Sequence, residues 1–366
     1  MKIAFDPGIF ASQKFGGISR YFYQLANHFE AMDEALRVMA PFHFNEYLGA
    51  LPGHVVRGRN VGRWPSPLKR HLLRLNAVSF DWQVARWQPQ LIHETYYSGQ
   101  VGKHAKSAYV VTIHDMIHEL YPAEFPDGER VAALKRQAVL HADHVVCVSQ
   151  STRRDLIALL DVPDAKISVI HHGVDQLATV GQAVACEGQR PFLLYVGHRG
   201  GYKNFSSLVK AVGASPMLRR DFSIIAFGGG PFTVDEQNLF KACKLEDGQV
   251  LQRGGADALL AHLYESAAAF VYPSMYEGFG MPPLEAMARN CPVVSSNTSS
   301  MPEVIGDAAA FFDPGSIDEL RIALEQTLYA DMVRRDLIEK GRQRVKHFAW
   351  AQCARDTLRA YRRVAR

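Results

Sequence analysis

The sequence predicts an α/β protein built from two doubly wound domains, each a largely parallel sheet with helices on both faces. Three observations predict it. Short apolar runs alternate with amphipathic helical stretches along all 366 residues, a length that exceeds what one core usually covers. Many of the runs are continuous in Val, Ile, Leu and Phe, as expected of parallel strands buried on both faces. A strand-opening pattern occurs twice, as "MKIAF" and as "PFLLYVG", which suggests two similar, Rossmann-like folds facing each other across a cleft.

Taken in order, the first half offers strands at Ile3–Phe5, Arg37–Ala40, Leu91–His93, Tyr109–Ile113, Val145–Ser149 and Ser168–His171. The second offers Phe192–Val196, Phe222–Phe227, Ala269–Tyr272, Val293–Ser295 and Ala310–Phe312. Between the halves, "QLATVGQAVACEGQR" is small, polar and aperiodic, so the boundary is expected near Asp175–Gln189. The predicted domains are therefore 1–175 and 190–349.

Composition narrows the class. Hydrophobic content of 48% and charged content of 21% describe an ordinary soluble protein, and no apolar run approaches the length of a membrane span. "MKIAFDPGIF" meets Asp6 too early for a signal peptide and reads as a first buried strand. The five cysteines (Cys147, Cys186, Cys243, Cys291 and Cys353) are scattered without metal or redox spacing, which suits reduced thiols in a cytoplasm. The net charge of +4 is uneven: Tyr47 to Phe80 holds no acid, but it holds Arg57, Arg59, Arg63, Lys69, Arg70 and Arg74. Leu68, Leu72 and Leu75 recur there at helical spacing. The segment 57–74 is thus a candidate for peripheral contact with an anionic membrane, against the plainer reading of a solvated helix. No nucleic-acid partner is expected.

Ligands of such sheets bind at the carboxyl ends of strands. At one, "FLLYVGHRGGYKN", Arg199 and Lys203 stand before a helix opening near Phe205, with Asn204 as its expected cap. Two cations at a helix entrance suit a diphosphate. At another, "IIAFGGGP", Gly229 lies in a run of three glycines that lets a ligand or helix approach the backbone. At a third, "VYPSMYEGFGMPPLEAMAR", Glu277 lies in a glycine turn and Glu285 eight positions later in the first turn of a helix opened by Pro282 and Pro283. The amides of Phe279, Gly280 and Met281 are expected to face an anion at that helix N-terminus. Carboxylates flanking an anion site suit hydroxyls, so a ligand with a central diphosphate and hydroxyls on each side fits: a nucleotide sugar. A glycosidase pair fits less well, because it needs no anion pocket between its acids. In the first half, Gly16 and Gly17 precede a helix expected near Ser19 and could meet the diphosphate. His114 ends a buried strand and is a candidate contact to the reacting sugar. A metal reading of His114, Asp115 and His118 has no further ligand cluster behind it, and no Asp-x-Asp pair occurs, so no metal is expected.

These residues resemble a known family. "EGFGMPPLEAM" is similar to the Glu–seven residues–Glu motif of the retaining GT-B glycosyltransferases of family four. "GHRGGYKN" resembles its phosphate loop, "FGGGP" its glycine turn, and "HHGVD" its Asn-Gly-Val-Asp linker with His172 in place of Asn. "VSQSTRRDL" and "FGGISRY" are also family-like, in the expected order along nearly the whole chain. "TIHDMIHELYP" looks most like bacterial mannosyltransferases that build O-antigen or exopolysaccharide. The resemblance implies that Glu285 holds the donor ribose and that Glu277 contacts the donor sugar or adjacent phosphate. It implies that Arg199 and Lys203 neutralise the diphosphate, that Gly16 and Gly17 approach it, and that His114 faces the transferred sugar. It also implies an N-terminal acceptor domain, a C-terminal donor domain and a last helix, about 350–366, returning to the first. Residues 42–90 match no family feature.

The expected activity is a hexosyltransferase: a sugar, mannose from GDP-mannose as the first choice, moves to a glycan or polyprenyl-linked acceptor with retained configuration and no cofactor. The expected location is cytoplasmic, peripheral at the inner membrane face. Two rivals share the architecture, a sugar-nucleotide epimerase and a non-catalytic nucleotide-binding subunit.

Overall fold

The computed structural model describes residues 1–62, 69–98, 104–175 and 190–365. Arg63, Leu68, Cys186 and nearly all of the expected linker lie outside the described residues, as do the side chains of Lys69 and Arg70. The chain divides into two compact units, Met1–Gly173 with Trp350–Arg366, and Val174–Ala349.

The first unit runs β1 (Lys2–Phe5), α1 (Gly17–Glu30), β2 (Ala35–Val38), β3 (Phe42–His43), β4 (Arg59–Asn60), α2 (Lys69–Trp87), β5 (Leu91–Glu94) and β6 (Ala108–Ile113). It continues through α3 (Ile117–Leu120), α4 (Gly128–His141), β7 (His144–Cys147), α5 (Gln150–Leu160) and β8 (Ile167–Val169). Six strands form one parallel sheet in the order β2-β1-β5-β6-β7-β8, while β3 and β4 pair separately. The second unit runs β9 (Phe192–Val196), α6 (Phe205–Ala214), α7 (Pro216–Asp221), β10 (Ser223–Phe227), α8 (Val234–Ala242), β11 (Val250–Arg253), α9 (Asp257–Ser266) and β12 (Ala269–Tyr272). Then come α10 (Met281–Ala288), β13 (Val293–Ser296), α11 (Met301–Ile305), β14 (Ala309–Phe312), α12 (Ile317–Tyr329) and α13 (Asp331–Arg344). Its parallel sheet has the order β11-β10-β9-β12-β13-β14, the dinucleotide-fold order 3-2-1-4-5-6.

The sequence-derived strands fall on strands of the two six-stranded sheets, with end shifts of at most two residues. The second strand ends at Val38 rather than Ala40, because Met39 leaves the β1–β2 pairing after Val38. Helix α1 opens at Gly17 rather than Ser19. Edge strand β11 was not foreseen: "VLQR" is half apolar and too short to show a period.

The last helix, α14 (Trp350–Val364), packs on α1 within the first unit. A buried polar chain fastens it. Tyr361 on α14 bonds His93 Nδ1 on β5, His93 Nε2 shares a 2.9 Å bond with Thr112 on β6, and Thr112 shares one of 3.3 Å with Tyr21 on α1. Gly173 is required where the chain leaves this unit, since a Cβ there would lie 2.2 Å from the Trp350 nitrogen.

His93 is fully buried and its pKa is pushed down to about 3 by that burial. The unfolded chain takes up its proton near 6.5, the folded one does not. The stability His93 supports is therefore complete above pH 6.5 and is lost as pH falls toward 3, at about 1.4 kcal/mol per pH unit. His93→Gln keeps a polar bridge without the titration. Urea unfolding between pH 5 and 6.5 should show a slope shallower by about one proton in that variant.

Candidate functional site

In the second unit the strand order reverses between β9 and β12, and ligands of open parallel sheets bind beyond such a switch point. Two loops therefore meet there, 197–204 after β9 and 273–280 after β12. Their backbones join at Met275 N–H, which donates to Tyr202 C=O at 2.7 Å. Lys203 from the first loop donates to Glu277 Oε1 from the second at 2.6 Å, and their side chains are only 18% and 12% exposed. The ammonium also lies 5.2 Å from the Tyr202 ring and 5.8 Å from the Tyr272 ring. Tyr272 is fully buried; burial first, then the Glu277 charge and hydrogen bond, raise its pKa well above 10, so its hydroxyl stays protonated.

The β12 loop is held by hydroxyls from the end of β13 and the loop after it. Ser299 Oγ accepts from Glu277 N–H and donates to Glu277 C=O, both at 2.8 Å. Ser300 Oγ reaches Glu277 C=O at 2.8 Å and Phe279 C=O at 2.9 Å. Thr298 Oγ1 donates to Met275 C=O at 3.0 Å, and Ser296 Oγ to Ser274 C=O at 2.6 Å. Sequence reasoning missed these positioning residues; the small polar run "SSNTSS" directly after a buried strand was the available signal.

Arg199 is held within the protein: its side chain is 4% exposed and all five guanidinium N–H groups have partners. Nε donates to Glu236 Oε1 at 2.6 Å, and Nη2 donates to Glu236 Oε2 at 3.2 Å and to Pro231 C=O at 2.9 Å. Nη1 reaches Gly228 and Gly230 C=O at 3.0 and 3.1 Å. Arg199 is the post around which the glycine turn folds. Gly228, Gly229 and Gly230 all take positive φ, and a Cβ on Gly229 would lie 2.5 Å from Arg199 Nη1. Burial pushes the Glu236 carboxyl up, but hydrogen bonds from Arg199 and from the Thr233 amide outweigh it and hold it below its ordinary value. Glu236 also closes the capping box of α8 with Thr233.

Other expectations shift too. Asn204 does not cap α6 with its side chain; Nδ2 donates to Pro314 C=O at 3.0 Å and Oδ1 accepts from Ser207 Oγ at 2.6 Å. Helix α10 begins at Met281 after Gly280 in the left-handed region (φ 91°), so Glu285 lies in its second turn, where Tyr264 donates to Oε2 at 3.3 Å. Pro282 and Pro283 supply no N–H, which thins the anion site expected at that terminus. Phe279 is buried, its ring 5.8 Å from Phe348.

The structure thus brings together Lys203 and Glu277, with Gly280 and Met281 opening the helix that carries Glu285. Gly229 stands with Arg199 on the glycine turn. Gly16, Gly17 and His114 belong to the first unit. Gly16 N-caps α1 in extended backbone, Gln13 Oε1 accepts from Ser19 N–H at 3.3 Å, and a Cβ on Gly17 would project into open space. His114 follows β6. Burial first, then the His93 and Lys135 charges, push its pKa down to about 3, so it is neutral at physiological pH; its Nε2 has no hydrogen-bond partner among the described residues. Its ring stacks on His172 at 5.6 Å. Among the described residues, no three His, Cys, Asp or Glu converge as metal ligands.

Two Rossmann-like parallel units are the architecture of the GT-B class of glycosyltransferases. The comparisons agree. The family described as "Glycosyl transferases group 1" matches residues 182–344, and "Glycosyltransferase Family 4" matches residues 15–176. The chain belongs to these group 1 GT-B glycosyltransferases and is an enzyme of that class. It is 28% identical over 371 residues to O-antigen chain mannosyltransferase B of Escherichia coli, across 94% of this chain and 96% of that one. It is 29% identical to O-antigen chain mannosyltransferase RfbU of Salmonella typhimurium across 56% of each. Among solved structures, sucrose-phosphate synthase from Thermosynechococcus elongatus shares the fold with TM-score 0.77 at 23% identity, across 99% of this chain and 98% of that one. WaaG, a glycosyltransferase involved in lipopolysaccharide biosynthesis, does so with TM-score 0.73 at 16% identity, across 97% and 98%.

Arg199→Ala leaves the half-buried Glu236 carboxylate and the glycine-turn carbonyls without their shared donor and should cost about 1–3 kcal/mol. Gly229→Ala should cost about 1–3 kcal/mol through backbone strain and the clash with Arg199. Thermal unfolding checks both. An Arg199→Ala protein with the wild-type midpoint but weakened nucleotide binding would instead return Arg199 to the ligand.

Proposed function

We propose that the protein transfers a mannosyl residue from GDP-mannose to a glycan or polyprenyl-linked glycan acceptor, with retained anomeric configuration, in the synthesis of bacterial surface polysaccharide. The observation that carries it is the Lys203–Glu277 pair beyond the switch point of the second unit. The mannosyl and O-antigen parts are supported by the named relatives.

In this reading the second unit is the donor domain and the first the acceptor domain. Lys203 turns from Glu277 to the diphosphate and offsets the negative charge that grows as the anomeric C–O bond breaks. Glu277, released from Lys203, accepts from hydroxyls of the donor sugar, and Glu285 takes the ribose. The acceptor oxygen attacks on the face the diphosphate leaves, and its proton passes to a leaving phosphate oxygen. No step is assigned to a metal: Lys203 and the α10 terminus supply the positive potential. Neutral His114 can exchange a hydrogen bond with the transferred sugar without adding charge beside a cationic transition state.

The reading places the enzyme at the inner face of the cytoplasmic membrane, its basic segment 57–74 among the contacts. No helix among the described residues is long and apolar enough to cross a membrane. Helix α2 instead leaves Leu75, Val78 and Trp82 at 52%, 67% and 62% exposure on one face, with Arg74 and Arg86 beside them. That stripe replaces the expected row of Leu68, Leu72 and Leu75, since Leu72 is half-buried. An exposed apolar stripe with basic flanks suits an anionic interface.

Two measurements check this. In a panel of nucleotide sugars, GDP-mannose should give the largest thermal shift and be hydrolysed slowly without acceptor. Lys203→Ala should bind GDP about 10- to 100-fold more weakly, in line with loss of one charge-assisted bond, and lose most turnover. Normal transfer by Lys203→Ala would refute the site, and conversion of the donor to an isomer would favour the epimerase. Separately, Val78→Glu with Trp82→Glu should release the protein from vesicles containing anionic phosphatidylglycerol. Equal sedimentation with such vesicles would remove α2 from the membrane contact.

A further inference from the structure

The stretch "TIHDMIHELYP" carries His114, and the proposed chemistry leaves its later residues unused. One of them, Glu119 on α3, meets a lysine from another helix. Lys135 on α4 is fully buried. A buried ammonium is costly unless its donors are met. Its Nζ donates to Glu119 Oε2 at 2.7 Å and to Asp115 C=O at 2.9 Å. It also stands 3.8 Å from Asp115 Oδ1 and 5.6 Å from the centre of the Tyr97 ring. The Glu119 side chain is only 11% exposed, and its Oε1 has no hydrogen-bond partner among the described residues. Lys135 is thus what holds that carboxylate in place.

These contacts close on the backbone around His114. Asp115 is the next residue, and its Oδ1 accepts from Ile117 N–H at 3.1 Å where α3 opens. The Tyr97 hydroxyl is hydrogen-bonded to the main chain of His114 itself. His114 is therefore anchored at its own peptide from the loop after β5 and at the following carbonyl from α4, and the two anchors touch each other. Its ring lies against Tyr21 at 5.3 Å and His172 at 5.6 Å.

We infer that Lys135, together with Tyr97, is a positioning residue for sugar transfer: it grips Asp115 and Glu119 so that the His114 imidazole is presented to the transferred sugar in one orientation. The inference rests on the role proposed above for His114.

Stability alone is a poor reason for such a lysine. A buried ion pair adds little over apolar side chains of the same volume. What apolar side chains lack is direction: they have no hold on the Asp115 carbonyl. Turnover depends steeply on the placement of a group that meets the reacting sugar, and a clamp on the adjacent peptide supplies that placement.

The test compares the full-length wild type with Lys135→Met combined with Glu119→Leu, which replaces the pair by apolar side chains and strands no carboxylate. Its thermal midpoint should stay near that of the wild type. With GDP-mannose and a mannose-terminated acceptor, kcat should fall about 10- to 100-fold while KM for the donor changes less than about twofold, as expected when geometry and not donor binding is lost. In protein carrying isotope-labelled histidine, the His114 ring resonances, assigned by their loss in His114→Gln, should shift or broaden. Those of His262 on α9, in the second unit, should not move. Tyr97→Phe removes one hydroxyl and should show the same changes to a smaller degree; it carries the test if the double variant does not fold. A folded double variant with wild-type kcat, or with unmoved His114 resonances, would overturn the inference, as would a silent Tyr97→Phe where the double variant is unfolded. The resonances are read without donor, so a wild type inactive on GDP-mannose strikes the parent reading and leaves the clamp to be judged by His114 itself.

Discussion

The contact between Lys203 and Glu277 depends on a topological fact. Strands β9 and β12 are neighbours in space but separated in the chain by two strands, β10 and β11, so the loops that leave them meet where the sheet order reverses. A lysine and a glutamate 74 positions apart thereby become one unit. The pair has low exposure, so neither charge is well solvated when the other is gone. In the proposed function such a pair is the resting state of a site that takes an anion with hydroxyls: the ligand must offer each partner something better than the other.

Much of the surrounding structure serves to hold those two loops still. Hydroxyls of Ser296, Thr298, Ser299 and Ser300 fasten the β12 loop by its carbonyls, leaving the Glu277 carboxylate to Lys203. Arg199 does the same for the glycine turn after β10, with every donor spent on protein acceptors. A guanidinium so placed fixes the shape of the glycine turn. The first unit shows a related economy, since the buried chain Tyr361–His93–Thr112–Tyr21 binds the returning helix to the sheet by neutral groups only.

The central strands were legible because parallel strands buried on both faces are written as unbroken apolar runs, as in "FLLYV" and "AFVY". The edge strand β11 was not, because a short edge carries little of that signal. Glu277, Lys203 and the glycine turn were nominated from their places at strand ends, which the structure keeps. The role of Arg199 was not, because burial and partner choice depend on Glu236, 37 positions away, and no local pattern marks it. On α2, spacing alone nominated Leu68, Leu72 and Leu75, whereas the packing of Phe80 and Val84 against Ala4 and Ile92 decides which face turns outward.

The most direct test of the central claim is calorimetric titration of GDP, without sugar, into Glu277→Gln. If Glu277 holds Lys203 in reserve, removing its charge frees the ammonium for the diphosphate. GDP should then bind at least as tightly as to the wild type, while mannosyl transfer falls. A loss of GDP affinity as large as that of Lys203→Ala would contradict the account, because it would mean that the carboxylate supports the diphosphate site instead of competing with it.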